Sequence, residues 1–343
     1  ILDEAQHIKN PQSATAAAAK RLRSKKRLAL TGTPIENRLS EIWSIFDFVS
    51  PGLLGPLDRF EQRFAKPIEA GDHKVAQRLR ATIHPFILRR TKTEVAKDLP
   101  EKLETDQICD LVGEQKHVYQ QVLREVRAQV LGEVEKNGIG KSQIQILAGL
   151  TRLRQAACDP RLLGLPKDFT DDDSGKLVAL RELLANAIEG GHKVLVFSQF
   201  VQMLKLVEKA VKQDGITYEY LDGSTKNRAE RVEHFQTDPG VGIFLISLKA
   251  GGTGLNLTAA DTVIHFDPWW NPAVEQQATD RAHRIGQNKV VSVYRLVAAG
   301  TIEEKILLLK DKKRELVSSV LTEDAGGSKK LTQQDLEDLF SLD

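Results

Sequence analysis

The sequence predicts an α/β fold of two lobes with mostly parallel sheets, joined through helical material. Three features predict it. From residue 175 onward, short β-rich runs alternate with helical patterns. Near the start, an apolar pair runs into adjacent carboxylates, a helix follows, and a second β-rich run ends in a tight turn. Between these regions, residues 111–160 carry Leu, Val and Ile at three-to-four spacing, the periodicity of packed helices.

In the first region, Ile1-Leu2 reads as the end of a strand and SATAAAAKRLRS as a strong helix. Arg27 to Leu30 reads as a strand closed by the turn Thr31-Gly32-Thr33-Pro34, and helical pattern resumes in EIWSIFDFV. Residues 84–100 are mixed basic and apolar. The loop 164–175, rich in Gly, Pro and acid, carries the main boundary. Beyond it, Val194–Phe197, Tyr218–Leu221, Ile243–Ile246, Val263–Phe266 and Val290–Arg295 are the expected strands. A charged helix begins at Thr301, GGSKK reads as a linker, and Thr332 starts a short final helix carrying Leu336, Leu339 and Phe340. The expected organisation is 1–110, 111–170, 171–322 and 323–343.

The chain has 343 residues, enough for two domains and a sizeable core. Its 41% hydrophobic and 28% charged content is ordinary for a globular protein. Net charge is only +2, so a nucleic-acid surface has to be a local basic strip. Cys109 and Cys158 lack metal-ligand spacing and fit a reducing compartment. No apolar run approaches a membrane span and no signal peptide is visible. The chain begins with Ile, in what reads as mid-strand, and is expected to be a piece of a longer protein.

Chemistry is suggested at both ends. WWNPAVE reads as a helix start: Asn271 can cap, Pro272 suits the first helical position, and Glu275 lies in the first turn. Gly286 is a stop. Within that helix Gln277, Asp280, Arg281 and Arg284 share one face. Arginine forks its donors and stays charged, which suits a phosphate; a solvated face with internal salt bridges is the alternative. At the start, Asp3 and Glu4 follow an apolar pair, as in a Walker B strand. In the second region Ser198, Gln199, Asp222, Gly223, Ser247, Lys249 and Asp267 each follow a predicted strand, where ligands bind in parallel sheets. GIGKS at 138–142 is not a P-loop: Glu135 stands where the first glycine is needed, and the preceding LGEVEKN is polar and helical. It reads as a turn between helices.

The ordered set DEAQ (3–6), LTGTP (30–34), VLVFSQF (194–200), LDGST (221–225), ISLKAGGTGLNL (246–257), DPWWNP (267–272) and QQATDRAHRIGQ (276–287) resembles the Swi/Snf family of DNA-translocating ATPases, within helicase superfamily two. PFILRRTKTEVAKDLPEK (85–102) and LRQAACDPRLL (153–163) are also similar, so the resemblance spans nearly the whole chain, and the ending LTQQDLEDLF looks bacterial. It implies RecA-like lobes: an incomplete first lobe, a helical insertion and a complete second lobe with a brace helix from Thr301.

The resemblance implies these roles. Asp3 would hold the shell of Mg2+ bound with ATP, and Glu4 would polarise the attacking water. Thr31, Gly32 and Thr33 would couple hydrolysis to movement. Arg281 and Arg284 would be arginine fingers, Gln277 would position the nucleotide, and Gly254 would allow close backbone approach. Ser198, Gln199, Ser247, Lys249, Gly251 and Gly252 would contact phosphates of double-stranded DNA, with a DNA-bound protein as the remodelled substrate. Fingers on one lobe and carboxylates on the other would make hydrolysis require closure. A monomer with no membrane partner is expected, cytoplasmic and nucleoid-associated if the source is bacterial. For Trp269-Trp270, core packing outweighs base stacking. Basic RLRSKKR (21–27) either lines DNA or is a solvated helix face, Arg89-Arg90 either line DNA or are structural ion-pair partners, and His283 is assigned no chemistry.

The P-loop of the family would precede Ile1, so the chain alone is expected to bind ATP poorly and hydrolyse it negligibly. A partial first lobe would also expose sheet edges. Two other readings stay open: a strand-separating DNA or RNA helicase, and a non-catalytic nucleic-acid-binding scaffold.

Overall fold

Continuous apolar runs such as VLVF and IFLI suit strands covered on both faces, and they form the centre of a parallel sheet. The computed structural model describes residues 1–32, 39–88, 90, 92–251, 254–269, 272–307 and 337–341. Among them, β1 (Lys102–Cys109), β2 (Val194–Ser198), β3 (Tyr218–Leu221), β4 (Ile243–Ser247), β5 (Thr262–His265) and β6 (Val291–Ala298) make one sheet in the order β1-β6-β5-β2-β4-β3. Every pairing is parallel.

Side chains alternate between two cores. Val194, Val196, Ile243, Leu245 and Ile264 point to one face, where Leu177, Leu180 and Leu184 of the helix Gly175–Glu189 and Met203, Leu204 and Val207 of the helix Val201–Gln213 cover them. Leu195, Phe197, Phe244, Ile246 and Val263 point to the other, against Phe235, Leu257 and Ala278. Such two-sided burial is how parallel sheets exclude water. A third core joins the helices Gly113–Lys141 and Gln143–Cys158 to Ile302, Ile306, Leu339 and Phe340. GIGKS lies at the join of these helices, where Gly138 leaves helical geometry at φ 73 and ψ 161.

The described residues fall into two compact units that divide after Arg90. This division lies ahead of the expected boundary at 110. β1, unforeseen in the sequence, pairs along its whole length with β6, so Lys102–Cys109 belongs to the second sheet. In the first unit, the helices Ala14–Arg21 and Leu39–Val49 begin and end close to expectation, the former capped by Ser13. The expected strand over Arg27–Leu30 is reduced to a single parallel bridge between Leu2 and Ala29. Phe60, Phe64, Ile68 and Leu79 pack with Ile42 and Phe46 into its core.

Residues 302–307 are helical, and their continuation lies outside the described residues. The expected helix start at Thr332, with Leu336, also lies outside them, while residues 337–339 are helical. No helix among the described residues is long and apolar enough to cross a membrane.

Candidate functional site

The bridge Leu2–Ala29 brings the ends of ILDEAQ and RLALTG together: the Leu30 amide donates to the Leu2 carbonyl, and the Ala5 amide to the Leu30 carbonyl, both at 2.8 Å. Asp3 is exposed, and its Oδ1 accepts the Glu4 amide at 2.8 Å. Glu4 sits at φ 49 and ψ 49, a left-handed conformation that costs a side-chain-bearing residue about 1–3 kcal/mol and concentrates at functional sites. Gln6 donates Nε2 to Glu4 Oε2 at 2.5 Å, and its Oε1 accepts the Thr31 hydroxyl at 2.9 Å. Gln6, unassigned from the sequence, thus links the second carboxylate to the LTGTP turn. Gly32 is exposed, and Thr33 lies outside the described residues. Arg27 donates to the carbonyls of Phe48 and Leu22, so part of the basic RLRSKKR run is structural.

In the second unit the three central strands deliver their carboxyl ends side by side. Ser198 of β2 is in register with Ser247 of β4, and Phe197 with His265 of β5. Asp267 follows β5 and is fully buried. It accepts the Ser198 hydroxyl at 2.5 Å and the Gln199 amide at 3.2 Å. The Ser198 hydroxyl, expected at a DNA phosphate, is buried and holds the β2 and β5 ends together. Gln199 is half-buried and Lys249 exposed.

Gly251 also departs from expectation. It is buried, and an added Cβ would stand 2.8 Å from the Phe197 ring, so this glycine serves close packing rather than presenting an exposed amide. Ser247 is buried, its hydroxyl accepting the Ala250 amide. Gly252 lies outside the described residues. Gly254 is exposed at φ 35.

Arg154, from the helical insertion, anchors this end of the sheet. Its side chain is buried, and Nη2 lies 3.4 Å from Asp267 Oδ2 and 2.5 Å from the Pro268 carbonyl. The guanidinium faces the rings of Phe200 and Trp269 at 5.6 and 5.3 Å. Trp269 accordingly packs as expected, while Trp270 lies outside the described residues. Beneath it a second buried pair, Lys176 and Glu303 at 2.5 Å, joins the helix Gly175–Glu189 to the helical start at 302. Lys176 also donates to the Phe266 carbonyl at 3.0 Å, and Glu303 accepts the Ala298 amide at 2.9 Å. Burial would lower the Lys176 ammonium, but Glu303 outweighs it and the group is shifted up. Burial pushes the Asp267 carboxyl and the Cys158 thiol up. Both cysteines are free and buried.

The arginine segment is the clearest correction. The helix runs over Pro272–Thr279 and stops there, with Glu275 accepting the Trp269 amide at 2.6 Å. Asn271 lies outside the described residues. Arg281 and Arg284 stand on the turns that follow, so they do not share one helical face with Gln277. Past Thr279 the ladder tightens, with the Arg281 amide donating to the Ala278 carbonyl and the Ala282 amide to the Thr279 carbonyl, and the Arg281 carbonyl turns to the Leu257 amide. Arg281 is buried and its Nε donates to the Gly251 carbonyl at 3.1 Å. Arg284 is exposed, and Gln277 half-buried. Thr279 bonds His265 at 2.9 Å, fixing the helix end to β5. His283 contacts the Pro100 carbonyl at 2.8 Å, a structural role.

Gln6, Arg154 and His265 escaped the sequence reading. Arg154 carried a usable signal: it lies next to Leu153 on a face that repeats Leu150 and Ala157.

Comparison with known proteins identifies the family. Residues 1–162 match the SNF2-related domain and residues 175–286 the helicase conserved C-terminal domain. Uncharacterised ATP-dependent helicases of Mycoplasma pneumoniae and Mycoplasma genitalium are 44% and 41% identical over 99% of the chain. The chain spans 32% of the length of each. The SWI2/SNF2 ATPase core of Sulfolobus solfataricus, solved in complex with double-stranded DNA, is 38% identical over 98% of this chain and 71% of that one, with a TM-score of 0.58.

Proposed function

Because the chain belongs to the SWI2/SNF2 family of superfamily-two ATPases, we propose that it drives ATP-dependent translocation on double-stranded DNA and so remodels DNA–protein complexes. The observation that carries this reading is the similarity to a core solved on duplex DNA, 38% identical over 98% of this chain.

Asp3 fits a magnesium role by its chemistry. Its second carboxylate oxygen has no partner among the described residues, and a hard oxygen donor suits an ion held largely through water and phosphate. Bound there, Mg2+ would neutralise charge developing on the phosphates. Glu4, held by Gln6, orients the attacking water and takes its proton as the new O–Pγ bond forms and the bond to the β-phosphate oxygen breaks. Gln6 passes the change at Glu4 to Thr31 and its turn. Arg284, whose side chain is exposed, stabilises the transferring phosphoryl group. Arg281 has a second duty: its bond to Gly251 ties the nucleotide-sensing segment to the β4 end, where Lys249 meets a DNA phosphate. Gln277 and Gly254 complete the nucleotide side, and Gln199 the DNA side. Contacts of this kind track the backbone without reading bases.

The test is ATP hydrolysis by the full-length protein with duplex DNA, single-stranded DNA, RNA or nothing added. Duplex DNA is expected to stimulate most, and Arg284→Ala to lower the rate by about a thousandfold. Stronger stimulation by single strands or RNA would replace translocation with strand separation. No hydrolysis under any condition would leave a nucleic-acid-binding scaffold.

A further inference from the structure

Outside the residues used so far, the first unit carries a cavity of about 600 Å³ with an unusual lining. One wall is the turn before Pro56, where Gly52 and Gly55 adopt φ 86 and φ 72, values that favour glycine. Trp43 pins this turn by donating Nε1 to the Gly55 carbonyl at 2.9 Å. A second wall is helical through Leu57–Phe60, Glu61–Ala65 and Lys66–Glu69, with a π-type turn in the middle segment. Such turns are rare and recur at functional sites. The third wall is the helix His73–Ile83.

Arg59, Arg63 and Arg78 line the cavity, and no carboxylate does. Among the described residues none of the three has an ion-pair partner, although Asp58, Glu61 and Asp72 are close in sequence. Elsewhere Arg161, Arg181, Arg231 and Arg295 each hold a carboxylate. Arg59 and Arg63, one helical turn apart, repel each other when nothing lies between them. The floor of the cavity is apolar, formed by Leu53, Leu54 and Phe64.

We propose that this cavity is a docking pocket for an acidic peptide segment. Carboxylates would pair with Arg59, Arg63 and Arg78, and one apolar side chain would rest on Leu53, Leu54 and Phe64. Guanidinium forks match carboxylates in two-point hydrogen bonds, and arginine clusters are a recurrent means of holding acidic motifs. The apolar floor decides against duplex DNA, whose backbone presents phosphates and sugars but nothing apolar to fill a concavity. The lining of the pocket shares no residue with the hydrolytic residues or the candidate DNA contacts.

The test titrates full-length protein into a fluorescein-labelled peptide in which one phenylalanine lies between runs of aspartate, read by anisotropy. Two control peptides replace the aspartates with asparagine or the phenylalanine with serine. Saturable binding is expected, weakened about tenfold or more by either control and by the double variant Arg59→Ser/Arg63→Ser. The arginines are exposed, so this variant keeps the melting temperature, and Arg284→Ala, which removes hydrolysis, leaves peptide binding unchanged. Equal binding by wild type and double variant, or no binding, overturns the proposal. So does displacement of the peptide by unlabelled duplex DNA together with weaker DNA binding by the double variant, which would make the surface a phosphate contact.

Discussion

The sheet end of the second unit and the cavity of the first treat charge in opposite ways. In the second, Arg154, Lys176, Asp267 and Glu303 are buried and hold one another or backbone groups. In the first, Asp3, Arg59, Arg63 and Arg78 are exposed and without ion-pair partners among the described residues. A buried charge must be paired, because desolvation is costly, and once paired it fixes the elements it touches. An exposed charge carries no such penalty and stays available to a ligand. The sheet end of the second unit is therefore a rigid platform, whereas the first unit offers charge outward.

The largest effect that would sharpen this contrast lies within the arginine pair. Arg281→Ala and Arg284→Ala should both lower ATP hydrolysis by about a thousandfold. Only Arg281→Ala should also lower the melting temperature, because Arg281 is buried and bonded to Gly251. Equal melting temperatures would mean that the buried arginine holds nothing.

Next in size is the deep pair. Lys176→Met leaves Glu303 buried without its cation and should cost about 3–5 kcal/mol in urea unfolding followed by tryptophan fluorescence. The double variant Lys176→Met/Glu303→Leu should recover much of that loss. A double variant as unstable as the sum of its parts would break the comparison, since the pair would then not act as a unit.

Gln6→Ala probes the first unit. Its two hydrogen bonds are partly buried and one meets the Glu4 carboxylate, so removing them should cost about 1–3 kcal/mol. Duplex-stimulated hydrolysis should also fall by about tenfold, the range for a lost positioning contact. A loss of stability with normal stimulation would make Gln6 a structural residue.

The smallest effect is acid weakening at the sheet edge. Burial pushes the Glu104 carboxyl up, but Lys102 and Arg295 overcome it and leave it at about 2 rather than 4.5. A depressed carboxyl stabilises the fold above its ordinary value and loses that contribution as pH falls from 4.5 towards 2. Glu104→Gln should therefore be slightly less stable than wild type at neutral pH, and the difference should vanish near pH 2. A gap that persists in acid would assign the effect to packing.

How much of this was legible in the sequence depended on burial. β2, β4 and β5 were readable to within about a residue because they are continuous apolar runs between turns. β1 was not, since KLETDQIC mixes polar and apolar residues on an edge where only its last residue is buried. The end of the arginine helix at Thr279, after which the ladder tightens and the Arg281 carbonyl turns to the Leu257 amide, is revealed by no local pattern. Asp3, Glu4 and both arginines were named from motif order, but the burial of Ser198 and the link through Gln6 are tertiary facts.

The pairing of β1 with β6 has a consequence for how the chain is made. The strand that leaves the ribosome first among the six pairs only with the one that leaves last, Lys102 facing Val291. At about 5–20 residues per second, β1 waits on the order of ten seconds or more for its partner. Throughout that interval Leu103 and Ile108, still half-exposed in the finished sheet, are open to other chains, so the yield of this protein should depend on protection during synthesis as much as on its final stability.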